Sequence, residues 1–170
     1  HIYGLAVIPD VVYNHAGGSL DDQSLDYMDR PANRDEGNSI YFSTAREAGG
    51  KVFRFRDGDV GDFLIGNARM LFDEYHVDGL RFDQVTVIDN NDGWSFCQDM
   101  TNTLRYHKPS AVQIAEYWGE HRWKAVSPPA DNAGMGFDLA YSDLLRNGIR
   151  ETLREASGGD DAPLDMERWR

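Results

Sequence analysis

Apolar and β-branched residues dominate the first segment, Ile2 to Val12, which then runs into the polar end Tyr13-Asn14-His15. That pattern predicts a strand buried on both faces. From 17 to 60 the periodicity is broken by Gly17-Gly18, Pro31, Gly37, Gly49-Gly50 and Gly58. Only Tyr41-Phe42 and Val52 to Phe55 read there as short extended pieces. A loop-rich excursion of that length in a compact domain usually carries function. Regular patterning resumes at Asp62. Phe63, Leu64, Ala68, Leu71, Phe72 and Tyr75 recur at helical spacing and predict an amphipathic helix over 62–75. Val77 to Asp83 predicts a second strand with a charged end, and Trp94 to Tyr106 a second helix, closed by Lys108-Pro109. Ala111 to Glu116 predicts a third strand. The Gly/Pro-punctuated stretch 127–136 then leads to a last helix over about 139–153.

Strands alternating with helices at this spacing predict an α/β fold, with parallel strands joined by right-handed crossovers. Each predicted strand carries polar or ionisable residues at its C-terminal end: Asp10 to His15, then Arg81 and Asp83, then Glu116. That edge is where chemistry sits in a barrel and in an open doubly wound sheet alike. Neither a glycine-rich dinucleotide fingerprint nor a phosphate-binding loop ending in Gly-Lys-Ser/Thr is present, so nucleotide readings lose their main support.

Charge narrows the partners. Seventeen basic against 29 acidic residues give a formal net charge of -12, which opposes nucleic acid and leaves a neutral polymer unrepelled. No stretch approaches the apolar length of a membrane span. The sequence starts at His1 without a signal-peptide pattern, and Cys97 has no second cysteine to pair with. Both favour a cytoplasmic location, with a secreted one left open because mature chains also lack a signal.

Asp83 and Glu116 are the residues whose spacing implies chemistry. On adjacent parallel strands about 4.8 Å apart, two carboxyls face one substrate. A retaining glycosidase needs them about 5 to 5.5 Å apart, an inverting one roughly 6.5 to 9.5 Å. Solvated strand-end acids and a divalent-metal site are the competing readings of the same pattern. Arg81 lies two residues before Asp83 and so shares its face, where it lowers the carboxylate pKa or serves as a plain salt bridge. His15 is placed to hydrogen-bond a sugar hydroxyl, or to be structural.

Three of these segments resemble, in order, conserved regions of the α-amylase superfamily, glycoside hydrolase family 13. They are Asp10-Val11-Val12-Tyr13-Asn14-His15, Gly79-Leu80-Arg81-Phe82-Asp83 and Ile114-Ala115-Glu116. The resemblance implies part of a (β/α)8 TIM barrel, about strands three to five, with residues 17 to 60 as the excursion after the first of them. It makes Asp83 the nucleophile and Glu116 the general acid/base. Asp10 becomes a supporting residue, and Arg81 and His15 become substrate-site residues. Asn14 matches a calcium ligand of the calcium-dependent members, so a structural calcium is implied as an option, with no cofactor required for the chemistry. Tyr13, Tyr117 and Trp118 are candidates for stacking on sugar rings, or for packing.

One element of the family pattern has no match. None of the five histidines is followed by aspartate, so the third acidic residue expected after strand seven is missing. With about three of eight strands in hand, the expectation is an incomplete catalytic domain, inactive on its own. Gly134-Met135-Gly136-Phe137-Asp138 resembles a Gly-Phe-Asp stretch of glucan branching enzymes and trehalose-releasing hydrolases. The implied substrate is an α-1,4-glucan or malto-oligosaccharide, processed by double displacement with a leaning to branching. The alternatives are an α-amylase-type hydrolase, a non-catalytic α-glucan-binding relative and a metal-dependent hydrolase.

Overall fold

The computed structural model describes residues 2–17, 29, 36–47, 49–130 and 134–159. Its elements are β1 (Asp10–Val11), β2 (His15–Ala16), β3 (Phe42–Glu47), β4 (Gly50–Phe53), α1 (Gly58–Tyr75), β5 (Gly79–Phe82), α2 (Val85–Asn90), α3 (Trp94–His107), β6 (Val112–Ala115), α4 (Trp123–Val126), β7 (Leu139–Ala140) and α5 (Asp143–Ala156). The chain divides into two units at 140/141, and each is described by itself.

In the first unit, β1, β5, β6 and β7 form a parallel sheet in that order. Strands alternate with helices as in part of a (β/α) barrel. The register pairs Asp10 with Arg81, Arg81 with Ile114 and Phe82 with Ala115. Paired residues on parallel strands share a face, so the sheet sorts its side chains cleanly. Val11, Leu80, Phe82, Gln113 and Ala115 are buried on the helix side. Asp10, Arg81, Ile114 and, one step on, Asp83 and Glu116 occupy the other face.

Helix α1 supplies Val60, Leu64, Ala68 and Phe72 to the core, and α3 supplies Phe96, Cys97, Met100 and Leu104. Asp57 caps α1, its Oδ1 accepting from the Asp59 amide at 3.0 Å, and His76 ends it in the left-handed region at φ 53°. The predicted stripe is rotated: Phe63 and Tyr75 are exposed, and Val60 from the unpredicted first turn is buried.

Strands β3 and β4 of the excursion join β2 in a three-stranded antiparallel sheet, order β2-β4-β3. Phe42 and Phe53 pack across it as a tilted pair with centroids 5.0 Å apart, and Tyr41 meets Phe63 of α1 edge-on at 5.4 Å. Asp29, itself buried, ties the entry to β3. It accepts from the Ser39 hydroxyl, from the Ile40 amide at 3.2 Å and from the Tyr41 amide at 2.9 Å. Much of 17–60, including Gly18, Pro31 and its neighbours, lies outside the described residues.

Several sequence expectations are corrected. The first strand is not buried on both faces. Regular pairing is confined to Asp10–Val11, although the Val7, Pro9 and Val11 carbonyls accept from Asp78, Arg81 and Asp83 along β5. Leu5, Val7, Ile8 and Val12 are exposed, because β1 stands at the end of the strand order and helices cover one face of the sheet. A fourth parallel strand, β7, lies where a helix start was expected. Leu139 and Ala140 pair with Ile114 and Ala115. Two short helices, α2 and α4, had no periodic signal long enough to read.

The second unit holds α5, which begins at Asp143. Its cap Ser142 accepts from the Leu145 amide at 3.3 Å, and Asp143 pairs with Arg146 at 3.0 Å. Among the described residues no helix is long and apolar enough to cross a membrane.

Candidate active site

The strand ends converge on one guanidinium. Arg81 Nη1 contacts Asp10 Oδ1 and Oδ2 at 2.6 and 2.7 Å and Asp83 Oδ1 at 2.9 Å, while Nη2 contacts Glu116 Oε2 at 2.9 Å. Asp10, Arg81, Asp83 and Glu116 thus form one cluster across three neighbouring strands. Asp10 is the solvent-facing member, with its side chain 59% exposed against 15% for Arg81, 26% for Asp83 and 12% for Glu116. One guanidinium thus faces three carboxyl groups.

Backbone geometry aims both acids. The Asp83 amide donates to Val11 O at 2.9 Å and the Glu116 amide to Phe82 O at 2.9 Å, extending the parallel ladder beyond its regular strands. Gln84 follows with φ 44°, a left-handed conformation costly for a residue bearing a Cβ. That turn directs its amide at Glu116 Oε2, 3.0 Å away, and lets the Val85 amide reach Glu116 O at 2.8 Å. Gln84 is a site residue that sequence reading missed, since nothing in the residue type marks the backbone donor.

Asp83 titrates below the ordinary carboxylate range. Burial pushes it up, but hydrogen bonds from Arg81, Asn14 and Glu116, with the Arg81 charge, outweigh that. Arg81 holds the two acids from one fork, Nη1 on Asp83 Oδ1 and Nη2 on Glu116 Oε2, each at 2.9 Å.

Asn14 is fully buried behind this pair, its Nδ2 donating to Asp83 O at 2.8 Å and Asp83 Oδ2 at 3.1 Å. His15 Nδ1 hydrogen-bonds Asn14 Oδ1, and its ring stays partly open to solvent. β4 makes room for it: a Cβ at Gly50 would collide with His15 Cδ2 and Ala16 O. Gly50 is a second supporting residue that the sequence signalled only as a loop break.

The aromatic candidates divide. Tyr13 is buried, its ring edge-on to Phe82 at 5.8 Å and its hydroxyl donating to Asn67 Oδ1 at 2.7 Å. Tyr117 is buried with its hydroxyl on Asp89 Oδ2 at 2.7 Å. Both occupy packing positions here, and neither offers an open ring face. Trp118 is partly exposed, its amide donating to Thr86 Oγ1 at 2.6 Å.

The Gly-Phe-Asp stretch clamps β6 to α3. Asp138 accepts from the Gln113 amide at 2.8 Å and from Arg105 at 2.7 Å, and Arg105 also reaches Gly136 O at 2.8 Å. Gly136 has φ 83°, and a Cβ there would stand 2.7 Å from Pro129 Cγ and 2.8 Å from Thr101 Oγ1.

Asn14 turns its amide oxygen to His15 and its nitrogen to Asp83, an orientation that does not suit an oxygen ligand of calcium.

An Asp–Arg–Asp–Glu cluster thus stands at the carboxyl edge of a parallel α/β sheet, and the chain was compared with known proteins. The chain is 29% identical over 168 residues to a 1,4-α-glucan branching enzyme of Prochlorococcus marinus (strain NATL1A), covering 84% of this chain and 21% of that protein. It is 27% identical over 162 residues to the corresponding enzyme of Synechococcus sp. (strain CC9605), covering 84% of this chain and 20% of that protein. Its fold matches an α-amylase of Geobacillus thermoleovorans, solved with acarbose, with a TM-score of 0.67 and 22% identity over 90% of this chain and 34% of that one. No family model matches. Together these carry homology to the α-amylase superfamily. The chain spans about a fifth of the length of the curated relatives it matches.

Proposed function

We propose that this chain carries the nucleophile and the acid/base of an α-retaining enzyme acting on α-1,4-glucans, and that it works as part of a larger barrel domain. The observation that carries this reading is the Arg81 guanidinium bridging Asp83 and Glu116 on adjacent strand ends. Asp83, held ionised at neutral pH, attacks the anomeric carbon while Glu116 protonates the leaving oxygen. Water or a sugar hydroxyl then opens the β-linked glycosyl-enzyme with Glu116 as base, and two inversions keep the α configuration.

Branching is favoured over hydrolysis by the curated relatives quoted above and by the Gly134-to-Asp138 stretch. The α-amylase fold match keeps glucan hydrolysis as the second reading. His15 and Trp118, both partly exposed, are the proposed sugar contacts.

The test is turnover of long linear glucan by the full polypeptide. Asp83→Asn should abolish it with the fold retained, and Glu116→Gln should cost roughly 10²- to 10⁴-fold. Undiminished turnover by the Asp83 variant would end the assignment. New α-1,6 branch points with little gain in reducing ends identify transfer, and the reverse identifies hydrolysis.

A further inference from the structure

Both amide hydrogens of Asn14 are directed at a single residue. Nδ2 lies 2.8 Å from the Asp83 carbonyl and 3.1 Å from Asp83 Oδ2, across 69 residues of chain. A carboxamide offers two donors on nitrogen and acceptor pairs on oxygen. Reversing it here would set oxygen against two Asp83 oxygens, so the orientation is determined. From the far side His15 Nδ1 meets Asn14 Oδ1, the pairing this orientation makes with the Nδ1-protonated ring. The side chain is 0% exposed, which leaves it little room to turn.

Asp83 needs such a hold. It stands just past the last residue of β5, where regular pairing stops, and Gln84 turns the chain away with φ 44°. Its amide is secured by Val11 and one carboxylate oxygen by Arg81. Asn14 secures the carbonyl and the other carboxylate oxygen.

Resting on the reading of Asp83 as nucleophile, we propose that Asn14 is a positioning residue for Asp83 and not a calcium ligand. Its NH2 group locks the backbone and carboxylate of the attacking residue together, and His15 holds the amide from behind. A calcium ligand would present its oxygen to the ion. In this orientation the oxygen belongs to His15, and the nitrogen, which repels a cation, faces the acid.

Asn14→Asp separates the two roles. It keeps an oxygen ligand and adds charge, which favours calcium, while removing both donors and setting a like charge against Asp83. In the full polypeptide acting on linear glucan, kcat should fall about 100-fold with KM little changed and no recovery in millimolar calcium. Near-normal kcat, or activity restored by calcium, overturns the proposal. A second readout avoids both activity and the variant's folding. In ¹⁵N-correlated spectra of the chain, the Asn14 side-chain NH2 pair should exchange slowly, shift in Asp83→Asn and stay unmoved by calcium. A pair that shifts with calcium, or ignores Asp83→Asn, overturns it. If Asp83→Asn retains turnover, the nucleophile assignment fails, while the spectra still judge the Asn14–Asp83 contact.

Discussion

Arg81 has more acceptors than it has charge, and that imbalance organises the residues around it. Asp83 and Glu116 are the less exposed acids on its fork, and Asp10 completes the contact from solvent. The same two-residue spacing that marks Arg81 and Asp83 in the sequence puts them on one face, so their pairing was legible. The Arg81–Glu116 contact was not, because it depends on register between strands whose paired residues lie 33 apart in the sequence. Cys97 shows the opposite behaviour. Fully buried and near Asp89, its thiol is pushed well above the ordinary range, burial being the larger cause. A thiol reagent at neutral pH should therefore leave the native chain unlabelled and modify it fully in denaturant. Rapid native labelling would contradict the packing described for α3.

At the scale of elements, the excursion owes its order to Asp29 more than to any periodic pattern. Three donors at the start of β3, with the Lys51 charge, overcome burial and hold its carboxyl below the usual range. Asp29→Ala should cost about 1.5–3 kcal/mol, read as a lower midpoint in urea. The sign with pH follows from the direction. A depressed native pKa means the unfolded chain binds the proton first. The stabilisation is therefore complete above about pH 4 and is lost as pH falls through the native value. Asp83 acts in the same sense. Urea midpoints of the parent should fall between pH 5 and 3, more steeply than those of Asp29→Ala. Long helices were legible because α1 and α3 each repeat their apolar residues over three turns or more. The six residues of α2 and four of α4 are too few to show a period, and β7 is two residues held by the register of β6.

For the whole molecule, a four-stranded parallel sheet with β1 and β7 at its ends leaves backbone and apolar side chains in the open. Ile2, Leu5 and Val7 are about half exposed or more along the approach to β1. Such margins pair with other chains. The 170-residue chain should self-associate with rising concentration, and Leu5→Lys with Val7→Lys should shift it toward monomer in light scattering. A monodisperse parent at high concentration would show that the margin is protected. What the sequence determined by itself was local and periodic: the helix stripes, the strand–helix alternation, and the acids and Arg81 at strand ends. These follow from spacing along one element. Only the tertiary structure decided which face of the sheet lies open, how Asn14 turns its amide toward Asp83, why Gly50 must lack a side chain, and where Gln84 directs its amide. Those depend on distances between elements, which register and packing set and no residue type encodes alone.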